Sequence, residues 1–367
     1  MRFLILLLVA ATAGAESRPR VQISHTNEAL RGVSAVSRDV AWASGTHGTY
    51  LRTIDGGRTW TPEQVPDAGS LDFRAVVAFS AEEAFLMSAG PGDQSRIYYT
   101  SDGGKRWQLQ FTNANPKGFF DSIAFWDSRH GVVLGDPIPD EAGKLKFEVL
   151  QTEDGQNWRA VPPVRLPDAM EGEGAFAASN TCSAIVRDGA DSNIWFATGG
   201  KVARVFHSSD RGQSWQVFDT PLVHGPDSAG IFSIAFRDAM HGVIAGGDYK
   251  HPNDDGPNLA FTEDGGKTWR LSLLHPLAYF SAVAYDRRVN EEAVREAAVE
   301  KKMRVKAISP ERVFIVGQDF VFDLRPPGNP RRINGKKKLG IAFNAVSAQP
   351  EGGALVVGPK GAIALIP

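Results

Sequence analysis

The chain has 367 residues, with 42 acidic against 40 basic side chains, a formal charge of −2 and 38 glycines. Near-neutrality withholds the basic face that nucleic-acid binding requires, and raised glycine beside ordinary apolar content points to a turn-rich β protein. A lone cysteine, Cys182, excludes an internal disulfide and is expected as a buried thiol.

In chain order, Met1-Arg2 precedes an apolar run from Phe3 to Ala11 and the small-residue stretch Ala13-Gly14-Ala15. This reads as a secretory signal over 1–15, removed before Glu16. The run is too short to span a bilayer, so the mature chain, 16–367, is expected to be one exported domain, periplasmic or extracellular, without a membrane span. Val21 to Ser24 then forms a short alternating segment lacking an adjacent partner.

The next feature repeats through the chain. TIDGGRTW (53–60), TSDGGKRW (100–107), TEDGQNW (152–158), SSDRGQSW (208–215) and TEDGGKTW (262–269) are copies of one turn. Copies of one phrase at spacings of roughly fifty residues mark a repeat architecture rather than an active site. The carboxylates Asp55, Asp102, Asp154, Asp210 and Asp264 accept hydrogen bonds from the turn that follows, and the glycines supply positive φ. Trp60, Trp107, Trp158, Trp215 and Trp269 re-enter the next strand as apolar anchors. These ten residues are therefore expected to be structural.

Around each turn lie short strands broken every eight to twelve residues or so, the spacing of antiparallel all-β domains. The third and fifth units open alike, with FFDSIAFWDSRHG (119–131) and IFSIAFRDAMHG (231–242), so His130 and His241 are read as hinge residues rather than metal ligands. The sixth unit lacks the Asp turn and carries a charged, helix-like insertion near 287–303, read as a solvated surface helix. The seventh supplies three strands, and the segment at 21–24 is available as its fourth. The expected fold is an all-β, seven-bladed β-propeller of four-stranded antiparallel blades, closed by the N-terminal strand.

Strand alternation puts the Asp turns on one face with the loops joining first and second strands. The opposite face carries the interblade connections and the loops joining second and third strands, where glycines accompany polar residues. His47, Asp136, Glu173, Asp248, Tyr249, His251, Asp319 and Lys360 are the candidate ligand- or partner-binding residues there. Arg31, Arg74 and Asp121 hold similar places at the start of the first three units, to present charge to the channel or to pair with one another.

With the repeats laid out, the chain resembles the photosystem II stability/assembly factor propellers, including exported relatives in non-photosynthetic bacteria. The resemblance covers nearly all of the mature chain. It rests on the turns, on Ile123 to Gly131 and Ile234 to Gly242, and on GDP (135–137), GEGAFAASNT (172–181) and GGDY (246–249). The turns alone look equally like the Asp-box (BNR) repeats of sialidases, sortilin-type receptors and xyloglucan hydrolases. The resemblance implies a non-catalytic binding or assembly scaffold, expected as a monomer, with an unknown protein or glycan partner. No dinucleotide loop, paired cysteine, haem or flavin motif is present, so no cofactor or metal is expected and an oxidoreductase label has no support. The alternative is a carbohydrate-active hydrolase on the loop-rich face, either sialidase-like or a glycosidase using two carboxylates among Asp136, Glu171, Glu173, Asp248 and Asp319.

Overall fold

The computed structural model describes residues 19–188, 191–273, 278–287, 312–317, 321–324, 331–332 and 342–367. The proposed signal, nearly all of the proposed helical insertion and Asp319 lie outside them. The described elements are β-strands and two short 3-10 turns.

The strands form antiparallel sheets around one axis, and the expectation of seven four-stranded blades needs correcting. Six sheets are four-stranded, while the sheet built on Ala229–Phe236 has six strands. Its additions are Glu173–Gly174 and Gly199–Gly200, segments expected to be loops of the preceding unit. Gly174 pairs with Gly199, which in turn pairs with Gly230. The cause is glycine: Gly230 has φ 150°, and a Cβ on it would lie 2.3 Å from the Cα of Gly199. Only bare backbones approach so closely, so the chain crosses here between sheets that side chains would hold apart.

The first strands of successive sheets touch in sequence, and Ala345–Ala348 meets Leu30–Ala35 to complete the circle. The last sheet takes Arg20–Gln22 as its outer strand, with Val21 opposite Ala364, so the two ends of the chain share one sheet. Hydrophobic clusters fill the spaces between neighbouring sheets; that between the first and last sheets holds Leu30, Leu51 and Trp60 with Leu355 and Ile363. A half-buried sheet cannot cover both of its faces, so each sheet depends on its neighbours for stability.

The turn tryptophans reach backwards into these spaces. Trp158 packs between the second and third sheets, Trp215 between the third and fourth, and Trp269 between the fourth and fifth. Hydroxyls stitch the inner strands together: Ala35 N–H donates to Ser347 Oγ at 3.0 Å, Ala78 N–H to Ser34 Oγ at 3.0 Å and Val283 N–H to Ser233 Oγ at 2.9 Å. Inner strands of a ring cannot form a continuous ladder with the next sheet, so these short side chains satisfy N–H groups that burial would otherwise strand.

Within each Asp turn the load is divided. The Thr262 hydroxyl accepts the buried Gly266 N–H at 3.0 Å and donates to Asp264 Oδ1 at 2.8 Å. Asp264 Oδ1 accepts the exposed Thr268 N–H at 2.9 Å and Oδ2 accepts the Thr268 hydroxyl at 2.6 Å. The turns at 53–60 and 208–215 repeat this pattern, and the short third copy closes one residue earlier, with Gly155 N–H on Thr152 Oγ1 at 3.0 Å. Gly56, Gly103 and Gly265 donate to carbonyls in the loops joining first and second strands, which fixes both loop sets on one face.

Candidate functional site

On the opposite face a cavity of about 560 Å³ opens on the axis. One repeated irregularity builds it. In five sheets the register between first and second strands slips by one residue at the same place, between Leu30 and Gly32, Phe73 and Ala75, Phe120 and Ser122, Ile231 and Ser233, and Phe280 and Ala282. The skipped residues are Arg31, Arg74, Asp121, Phe232 and Ser281, and all five line the cavity. A bulge frees its extra residue from the pleat and re-aims the side chain. A similar slip between Gly135 and Pro137 leaves out Asp136, which also lines the cavity.

The walls differ in chemistry. The first three sheets supply charge. Arg74 Nε donates to Asp72 Oδ2 at 2.8 Å and its Nη1 to the Ala177 carbonyl at 2.9 Å. Arg31 Nε lies 3.9 Å from Asp72 Oδ1, too far for a hydrogen bond, and both atoms are buried without a partner among the described residues. Burial, with the nearby Arg74 charge, lowers the pKa of Arg31. Asp121 is 1% exposed, and neither of its carboxylate oxygens has a partner among the described residues. Burial and the neighbouring Asp136 push its pKa well above the usual carboxylate range, against the pull of Arg74. Burial also raises Asp136, opposed by the Ala175 N–H that donates to its Oδ1 at 3.0 Å.

The other wall is aromatic. Phe176 stacks on Phe232 at 3.8 Å between centroids, and Tyr279 and Tyr249 meet Phe232 edge-on at 4.8 and 6.1 Å. Burial raises the Tyr279 hydroxyl, which stays a neutral donor at the cavity edge.

Of the candidates read from the sequence, the cavity gathers Asp136 and Tyr249. His47 and Lys360 are turn residues. Their φ values of 55° are followed by 68° at Gly48 and 66° at Gly361, and Thr49 and Ala362 donate back across the turns. Two successive positive φ values are the geometry of the tightest β-hairpin, which explains glycine at the second position. Glu173 serves the scaffold: Arg204 donates to it at 2.5 and 3.0 Å and Thr198 at 2.7 Å, and its side chain is 0% exposed. Asp248 accepts the Lys250 N–H at 2.9 Å and meets His251 Nδ1 at 2.9 Å. Although burial works to raise it, these bonds and one from Ser228 hold Asp248 down to about 2.

Of the carboxylates considered for hydrolysis, Asp136 alone among the described residues reaches the cavity, while Glu171 is exposed outside it. No group of three or more potential metal ligands occurs among the described residues, and none of their helices is long and apolar enough to cross a membrane. Burial raises the Cys182 thiol to about 12, leaving it protonated and unreactive at neutral pH.

Sequence reasoning passed over Phe176, Phe232 and Tyr279. The available signal was the residue following the buried Leu, Phe or Ile that opens each first strand. Read down the repeats it runs Arg31, Arg74, Asp121, Phe232, Ser281, changing in chemistry while the residue before it stays large and apolar and the one after it small.

No protein-family model matches the chain. It is 23% identical over 302 residues to the photosystem II assembly protein Ycf48 of Thermosynechococcus vestitus, covering 68% of this chain and 73% of that protein. It is 35% identical over 66 residues to the photosystem II stability/assembly factor HCF136 of Arabidopsis thaliana, covering 17% of this chain but only 15% of the relative. Among solved structures, YCF48 bound to D1 peptide superimposes with a TM-score of 0.62 at 16% identity, covering 95% of this chain and 96% of that one. YCF48 from Cyanidioschyzon merolae gives 0.61 at 18% identity, covering 95% and 98%. The chain thus shares the β-propeller fold of these structures and is similar in sequence to photosystem II assembly factors.

Proposed function

We propose that this chain is a non-catalytic assembly or binding scaffold that holds a peptide segment of a protein partner in the axial cavity. The observation that carries this reading is the set of bulges that aims residues of different chemistry into one recess. Catalytic machinery needs a few groups at fixed separations, whereas a peptide needs several contacts of different kinds along its length. Arg31 and Arg74 provide planar donors for a peptide carboxylate or carbonyl. Phe176, Phe232, Tyr249 and Tyr279 provide a wall for an apolar or aromatic side chain. The solved relative YCF48 bound to D1 peptide supports a peptide as the ligand class.

Export by the signal at 1–15 forms part of the same proposal and places the partner in the periplasm or outside the cell. The reading is tested by equilibrium binding of the purified chain, residues 16–367, to an immobilised library of hexapeptides. Retention of a defined peptide subset, weakened about tenfold or more by Arg74→Ala, supports it, since loss of a charge-assisted contact is of that order. Retention unchanged by Arg74→Ala and by Phe232→Ala would remove the cavity from the account.

A further inference from the structure

The proposed peptide reading accounts for the arginines and the aromatic wall but leaves the acidic side of the cavity unused. Asp121 reaches the cavity lining from its bulge with both carboxylate oxygens buried and without a partner among the described residues. Beside it stands Asp136, also displaced by a bulge, with a single backbone donor on Oδ1. Arg74 cannot compensate both. Its Nε is committed to Asp72 at 2.8 Å and its Nη1 to a carbonyl, so much of its charge is already balanced.

We infer that Asp121 and Asp136 form a subsite for a basic side chain, a Lys ammonium or an Arg guanidinium, carried by the peptide that occupies the cavity. This inference rests on the peptide-binding reading and adds what that peptide must contain. A neutral donor would satisfy one oxygen of Asp121 but could not offset the repulsion that ionising both neighbouring carboxyls would create. A cation satisfies the oxygens and removes the repulsion together. A bare metal ion is a poorer match, because the pair lacks a third ligand of the usual kind among the described residues. The Phe176–Phe232 pair and the two tyrosines line the same cavity and offer π faces to an organic cation.

The groups that bear on Asp121 are Asp136, Arg74 and the Cys182 thiol. Burial and Asp136 favour the protonated form of Asp121 in the empty cavity, burial keeps Cys182 neutral, and a bound cation favours the Asp121 carboxylate in its place. Binding of the basic side chain therefore strengthens as pH rises, until Asp121 is ionised without it.

The test uses the same immobilised hexapeptides, acetylated and amidated, with one position varied among Arg, Lys, norleucine and Glu. The expected result is retention of Arg or Lys peptides about tenfold or more above their norleucine counterparts. That preference should grow as pH rises above the ordinary carboxylate range and be lost in Asp121→Asn, with aromatic peptides still retained. Asp136→Asn supplies a second variant at a less buried position and should weaken the preference in the same direction. Equal retention of basic and norleucine peptides, or a preference unaltered in both variants, would sink the cation subsite and leave the peptide reading standing. If no hexapeptide is retained at all, both fall.

Discussion

The two faces of this ring use one strategy, a local device repeated from sheet to sheet, to opposite ends. On one face the Asp turn recurs with nearly the same residues, and its donors and acceptors are matched within the turn. On the other the bulge recurs with the same backbone slip, but its residue is Arg, Arg, Asp, Phe and Ser in five sheets. Constant residues with satisfied bonds hold the structure together. A constant backbone device carrying varied, partly unsatisfied residues is what a recognition surface requires.

Stability measurements can break that contrast. The largest effect is expected at the buried pair that anchors the segment before the fourth sheet. Glu173→Ala leaves Arg204 buried without its carboxylate and should cost about 3–5 kcal/mol in urea unfolding. A loss below about 1 kcal/mol would return Glu173 to the list of binding residues. Next comes the turn itself. Thr262→Val strands the buried Gly266 N–H and should cost about 1–3 kcal/mol. Asp264→Ala removes bonds to donors that water can replace and should cost only about 1 kcal/mol. The opposite order would mean that the carboxylate, rather than the hydroxyl, holds the turn.

The smallest effect is one of pH, and its sign should differ between the Asp turns and the bulge residue Asp121. Hydrogen bonds from Thr59 and from Arg106 hold Asp55 and Asp102 down to about 2. Their contribution is present above the unfolded carboxylate value and lost as pH falls through the folded one. Asp121 runs the other way: its contribution is present below the unfolded value and lost as pH rises through its raised folded value. Asp55→Asn should therefore flatten the acid limb of a stability–pH profile, and Asp121→Asn the limb above it. Identical profiles for the two variants would contradict the assignment of the faces.

Much of the ring could be read from the chain because its devices are local. The phrase TEDGGKTW carries its own turn chemistry, and its five copies mark the last turn of five of the sheets. The six-stranded sheet escaped because Gly199 and Gly230 look like ordinary loop and strand glycines until their backbones are seen to touch. His47 and Lys360 stood out as polar residues among glycines, yet that is also the composition of a tight hairpin. Asp136 and Tyr249, read as candidates from their glycine-rich surroundings, both line the cavity. Phe176, Phe232 and Tyr279 were not so read, since an aromatic residue entering a strand reads as core, and only the register slip turns Phe232 toward the axis.

The central claim is that the bulge face binds and the Asp-turn face supports. Backbone hydrogen exchange, measured on residues 16–367 with and without a retained hexapeptide, tests it most directly. The account predicts slowed exchange at residues 73–75, 119–122, 175–178 and 231–233, with none at 53–60 or 262–269. Protection confined to the Asp turns, with the bulge segments unchanged, would contradict it.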